Sequence, residues 1–151
     1  MDSQHLIYLP RPMVFTNGVF DLLHAGHVQY LAQARQLGAS LVVALNSDTS
    51  ARRLGKGPGR PFVCAGERQA VLAALTSVSA VVLFDEDTPV RWLRTLKPEI
   101  YVKGGDYKLE DLPEAAEVAA WGGRVQLLPL RPGVSTSALV YRIQCAAEVL
   151  Q

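Results

Sequence analysis

The chain has 151 residues, a formal net charge of +1, 49% hydrophobic residues and 19% charged ones. That length suits one compact domain whose core is large enough to fold without disulfides or metal, and the composition excludes a disordered chain. The near-zero charge gives no sign of a nucleic-acid groove or a membrane surface, so neither is expected as a partner.

Apolar runs alternate with helix-period segments along the chain. MVFT (13–16) predicts a buried strand, and GHVQYLAQARQLG (26–38) predicts a helix stopped at Gly38. SLVVALN (40–46) is a second apolar strand. A long Gly-, Pro- and Arg-rich connection follows over 47–66, and connections of that length are usually functional or mobile. Residues 67–78 predict a helix and AVVLF (80–84) a third strand. A short helix is expected over 87–97, with Thr88 as N-cap, Pro89 at its first position and Pro98 ending it. EIYVKG (99–104) reads as a fourth strand, 112–123 as a helix closed by glycines, RVQLLPL (124–130) as a fifth strand and 135–150 as a last helix opened by hydroxyl residues.

Strands alternating with helices imply right-handed crossovers, and so an α/β, Rossmann-like fold: a five-stranded parallel sheet covered by helices on both faces. Such sheets bind ligands beyond the carboxyl ends of their strands, near the point where strand order reverses. The loops after strands one, two, four and five are therefore expected to ring one cleft. The two cysteines, Cys64 and Cys145, read as ordinary thiols of a reducing compartment. The first residues lack a basic segment followed by a long apolar run, so no signal peptide is expected, and no apolar run approaches the ~20 residues of a membrane span. The cytoplasm is the expected location.

The densest chemistry lies in FTNGVFDLLHAGHVQYL (15–31), which holds two of the three histidines. Asn17 and Gly18 suit a tight turn that exposes backbone N–H groups. A helix starting near Gly26 turns its own free N–H groups and its dipole toward the same cleft, making an anion site. His24 and His27 are three apart, so near a helix start they can point to one side. Each alone reads equally well as a polar helix-start residue. No Cys or carboxylate cluster accompanies them at zinc-ligand spacing. Their combination with Asn-Gly at a strand-to-helix junction points to a phosphate undergoing transfer. Farther on, GVSTS opens a helix after a strand, so hydroxyls and N–H groups there suit a second anion as well as plain capping. Gly104-Gly105 permits close backbone approach, and Lys103 ends an apolar strand. Of the cations in the long loop, Lys56 is the expected phosphate ligand, while Arg52, Arg53 and Arg60 read as solvated. GKGPG lacks the Gly-Lys-Ser/Thr of a Walker loop.

TNGVFDLLHAGH resembles the signature of the nucleotidyltransferase superfamily with the His-x-Gly-His motif. The resemblance runs along nearly the whole chain: LVVALNSD, GRP, ER, DEDTPVRWLRTLKPEIYVKGGDY and GVSTSALV are similar, in order, to the heptose 1-phosphate adenylyltransferase family, with VKGGDY and EDTP the more specific part. Glycerol-3-phosphate cytidylyltransferases share the first and last motifs and differ in the middle. The resemblance implies one nucleotidyltransferase domain over 1–151 that transfers AMP from ATP to D-glycero-β-D-manno-heptose 1-phosphate for lipopolysaccharide core synthesis. A cytidylyltransferase acting on glycerol 3-phosphate or a similar small alcohol phosphate is one alternative. A non-catalytic nucleotide-binding module is another, against which the presence of both histidines and the hydroxyl motif speaks. Carried over, His24, His27 and Lys56 are the catalytic residues. Thr16, Asn17, Gly18 and Phe20 form the loop against the α-phosphate. Asp48, Arg68, Lys103, Gly104, Gly105, Asp106, Tyr107, Ser135, Thr136 and Ser137 bind the nucleotide. The partners implied are ATP and a sugar 1-phosphate. Mg²⁺ enters with ATP and needs no dedicated protein ligands. A homodimer is expected.

Overall fold

The computed structural model describes residues 3–105 and 108–149. Five strands, β1 (Met13–Gly18), β2 (Ser40–Asn46), β3 (Ala80–Phe84), β4 (Ile100–Gly104) and β5 (Arg124–Leu128), form one sheet in the order β3-β2-β1-β4-β5. Every neighbouring pair is parallel, with Phe15 opposite Val42 on one side and Tyr101 on the other. The helices are α1 (Ser3–Leu6), α2 (Ala25–Arg35), α3 (Asp48–Arg53), α4 (Ala65–Ala73), α5 (Val90–Leu96), α6 (Pro113–Ala119) and α7 (Thr136–Val149).

Alternate residues of the central strands feed two cores. Met13, Phe15 and Tyr101 pack with Leu93 and Leu96 of α5 and Val118 of α6 on one face. Val14, Val43 and Val102 pack with Leu31 and Ala34 of α2 and Leu72 of α4 on the other. β2 is buried along its whole length, which is why it reads as an unbroken apolar run and not an alternating one. The chain leaves β1 toward β2 and β3, then returns to β4 on the other side of β1. That reversal puts the ligand-binding crevice at the carboxyl ends of β1 and β4.

Several local expectations differ from the structure. The 47–66 connection is not wholly loop. Ser47 Oγ accepts the Ser50 N–H at 3.0 Å, Asp48 stands in the first turn, and Arg52 and Arg53 end the last, so α3 forms there. Thr88 does not cap α5; Pro89 occupies the cap position and no side chain bonds there. The helix expected over 67–78 runs instead from Ala65 to Ala73, and that over 112–123 ends at Ala119, ahead of a Gly122 with φ of 83°. A 3₁₀ turn at Leu109–Asp111 and the short α1 carried no periodic signal. Both cysteines are free. Among the described residues no helix is long and apolar enough to cross a membrane.

Candidate active site

The loop from β1 to α2 is built around Phe20 and two histidines. Phe20 and Leu22 both adopt φ of 50°, an uncommon conformation for residues with side chains. It turns the Phe20 ring inward, edge-on to His27 at 5.3 Å between centroids. Gly18 is required beneath that ring, because a Cβ there would lie 2.9 Å from it. His24 caps α2: its Nδ1 accepts the N–H groups of Gly26 at 3.1 Å and His27 at 3.4 Å, while His27 Nδ1 accepts the His24 N–H at 3.4 Å. The two rings stack with centroids 3.7 Å apart. Both Nδ1 atoms are thus acceptors, and each neutral ring carries its proton on Nε2. The helix start is accordingly less free than the sequence suggests, since two of its N–H groups are already bonded to His24.

Burial holds both histidines below the usual imidazole value. His27 is pushed down to about 4, first by burial, then by His24 and Lys56, against the opposing pull of Asp21. At neutral pH the unliganded pair therefore offers N–H donors and no positive charge.

A cleft of about 530 Å³ opens beside the pair. Asn17, Gly18, Phe20, His24, His27, Lys56, Gly104, Ser135, Thr136 and Ser137 all line it, so the structure brings these sequence-predicted residues together. Gly104 is needed for closeness; a Cβ there would sit 2.7 Å from Leu130 and 3.1 Å from the Tyr30 ring. The hydroxyl turn is tied to the β1–α2 loop: Thr136 Oγ1 donates to the Asp21 carbonyl at 2.8 Å, and Ser135 Oγ accepts the Ala138 N–H at 3.1 Å, capping α7. A second hollow of about 520 Å³ adjoins the cleft, sharing Gly26, Tyr30, Leu130 and Arg131 with it and extending to Gln29 and Gln33.

Two lining residues escape sequence reasoning. Asp21 is only 4% exposed, and its carboxylate accepts the N–H groups of Phe62 at 2.9 Å and Val63 at 3.0 Å, with the Arg60 guanidinium 3.4 Å away. Arg60 also donates to Ser137 Oγ at 3.3 Å, so it faces the cleft and not bulk water as expected. Asp21 thereby fastens the Lys56 loop to the histidine loop. The partners are about forty positions apart, and nothing local in the sequence marks them.

Three predicted binding residues, Thr16, Asp48 and Arg68, sit behind the cleft. Thr16 is fully buried, and its hydroxyl donates to the Val102 carbonyl and pairs with Tyr30 Oη at 2.7 Å. Arg68, 2% exposed, donates to the carbonyls of Val63, Val19 and Asn46 and to Asp48 Oδ1 at 2.7 Å. A guanidinium satisfied by three carbonyls and a carboxylate supports the wall of the site, and Asp48 serves as its counter-ion. Lys103 lies at the rim, where its Nζ donates to Asn17 Oδ1 at 3.2 Å. Burial chiefly lowers its pKa, with Glu114 pulling the other way. Gly105 takes φ of 117° and donates to the Leu128 carbonyl, while Asp106 and Tyr107 lie outside the described residues.

Among the described residues no cluster of three or more His, Cys, Asp or Glu is arranged to hold a metal ion. Asp21, the carboxylate in the cleft, has both oxygens engaged. The site is made of neutral N–H donors, hydroxyls, the three cations Lys56, Arg60 and Arg131, and helix starts, a set that suits a polyanion whose charge shifts between oxygens.

The chain matches the family model described as cytidylyltransferase-like over residues 15–142. It is 57% identical over 136 residues to a D-beta-D-heptose 1-phosphate adenylyltransferase of Bordetella bronchiseptica, covering 90% of this chain and 84% of that protein. It is 56% identical over 131 residues to a bifunctional protein HldE of Shewanella amazonensis, covering 87% of this chain and 27% of the relative's length. Among solved structures, a lipopolysaccharide core biosynthesis protein of Thermoplasma volcanium superposes with a TM-score of 0.66 at 30% identity, over 79% of this chain and 95% of that one. A pantothenate synthetase of Thermus thermophilus, 15% identical with a TM-score of 0.56 over 85% of this chain and 60% of that one, shares the fold.

Proposed function

The chain belongs to the cytidylyltransferase-like family, and from that premise we propose that it transfers AMP from ATP to D-glycero-β-D-manno-heptose 1-phosphate, releasing pyrophosphate and ADP-heptose. Likeness to the Bordetella adenylyltransferase selects ATP and the heptose. The observation that carries the chemistry is the stacked His24–His27 pair, with both Nε2–H groups left to donate beside the cleft.

An oxygen of the sugar 1-phosphate attacks the α-phosphorus, and the bond from that phosphorus to the bridging oxygen breaks as pyrophosphate leaves. The nucleophile is already ionised near neutral pH, so no general base is needed. Catalysis then rests on alignment and on stabilising charge that moves onto the leaving group. The two imidazole N–H groups, Lys56, Arg60 and the start of α7, all lining the cleft, would do that work. Binding a triphosphate would favour the protonated histidines, and the rings would then add charge where it develops. Mg²⁺ would travel with the triphosphate as part of the substrate, bridging its oxygens. The reading includes work in the cytoplasm on lipopolysaccharide core precursors and a homodimer; Leu130, Tyr141 and Ile143, beside and on α7, are among the apolar side chains exposed in the single chain.

Pyrophosphate release with heptose 1-phosphate, run in parallel with ATP and CTP, tests this. Release with ATP and little with CTP is expected. Turnover of glycerol 3-phosphate with CTP would instead select the cytidylyltransferase reading, and no turnover with either pair would leave a binding module.

A further inference from the structure

Asn17 is the last residue but one of β1, where strand order reverses, and its carboxamide is held on one side only. Oδ1 accepts two donors from β4, the Tyr101 hydroxyl at 2.7 Å and the Lys103 ammonium at 3.2 Å. A flipped amide would turn its NH₂ onto both donors, so the orientation is set. Nδ2 then carries two N–H groups with no protein partner among the described residues, on a residue that lines the cleft. Alternation along β1 places Asn17 on the face of Phe15, packed by α5 and α6, whereas the histidines start α2 on the opposite face. In-line transfer needs the attacking and leaving oxygens on opposite sides of the phosphorus. With the leaving pyrophosphate on the α2 and α7 side, the attacking anion belongs on the Asn17 side of the rim.

The geometry points to the Asn17 Nδ2–H as a donor to the phosphate of the acceptor substrate, with Tyr101 as the positioning residue that orients it. The inference rests on the transfer reaction proposed above. Tyr101 does not itself touch substrate; its ring is fully buried and only its hydroxyl reaches Asn17.

Tyr101→Phe keeps the ring and removes the shorter of the two hydrogen bonds that orient the Asn17 amide. Its KM for heptose 1-phosphate should rise roughly three- to tenfold, the value of one such bond, while KM for ATP and kcat stay within about twofold. Asn17→Asp keeps both acceptor contacts, removes the N–H donors and adds charge, so its acceptor KM should rise by more than tenfold, in the range of about ten- to a hundredfold. Equal effects on both substrates, or no effect in either variant, would overturn the proposal. A readout independent of turnover separates its failure from that of the functional reading. The Asn17 side-chain NH₂ resonances, assigned by their loss in Asn17→Asp, should shift when wild-type protein is titrated with heptose 1-phosphate or inorganic phosphate, and signals that stay still sink the inference. If they shift while wild type releases no pyrophosphate, the donor role stands and the reaction does not.

Discussion

The His24 ring lies on the His27 ring at 3.7 Å with planes 19° apart, and each Nδ1 accepts a backbone N–H from the other's residue. This reciprocal cap makes the donors proposed for catalysis part of the helix start itself. The two rings cannot tilt independently without breaking bonds that hold the first turn of α2.

In the proposed reaction, replacing His27 by Ala removes a donor that acts on the transition state. The expected loss is mainly in kcat, about 10²- to 10³-fold, or about 3 kcal/mol if the ring acts as an oxyanion donor does. KM for ATP should change far less. Steady-state kinetics of the purified variant check this, and undiminished turnover would remove His27 from the mechanism.

The same burial makes a prediction about acid. His27 titrates near 4 when folded, against 6.5 for an ordinary imidazole, so the unfolded chain binds more protons between those values. Stability is fully present above about pH 6.5 and falls as pH drops toward 4. His24 acts in the same direction, and the lowered carboxyl of Glu99 adds its own loss only nearer its lower range. The slope should stay below the one-proton ceiling of about 1.4 kcal/mol per pH unit, because the ring is only partly buried. In urea melts from about pH 7.5 to about pH 4.5, the stability of wild type should fall more steeply with decreasing pH than that of His27→Asn, which keeps only the His24 contribution. Parallel curves would contradict the depressed pKa.

The sheet was readable because β1 to β4 are short apolar runs punctuated by helix-period segments, a pattern that only a doubly covered parallel sheet satisfies. The histidine loop was readable because its parts are contiguous. What escaped was set by distance or by satisfaction. Asp21 meets Phe62 and Val63 across some forty residues, with no local trace of the pairing. Arg68 has the composition of a phosphate ligand, but three carbonyls and Asp48 consume its donors, and only coordinates reveal that. α3 hid inside a stretch whose Gly and Pro lie after Arg53, so loop composition masked a capped helix.

Asp21 should matter to both loop order and activity. Asp21→Ala leaves the Phe62 and Val63 N–H groups and Arg60 without their acceptor, at a cost of about 1–3 kcal/mol for the buried donors. The Lys56 loop should detach, so trypsin should cut after Lys56 faster than in wild type, and kcat/KM for ATP should fall at least about tenfold. Unchanged proteolysis together with unchanged kinetics would show that the fastening is idle.

Gly26 separates folding from function. A helix-interior Gly normally costs up to about 1 kcal/mol relative to Ala, so Gly26→Ala should not weaken α2 through propensity. Its Cβ, however, would lie 3.0 Å from Cε1 and Nδ1 of the His24 ring and 3.2 Å from Val134. Both neighbours must move by a few tenths of an ångström, and any shift of the His24 ring disturbs both its long hydrogen bonds and its stack on His27. A melting temperature near that of wild type with kcat lowered at least about tenfold is therefore expected, since small displacements of aligned groups are costly in rate. Differential scanning calorimetry beside turnover measurements decides it: a destabilised but fully active protein would mean that the glycine serves packing against Val134 and not the placement of the imidazole.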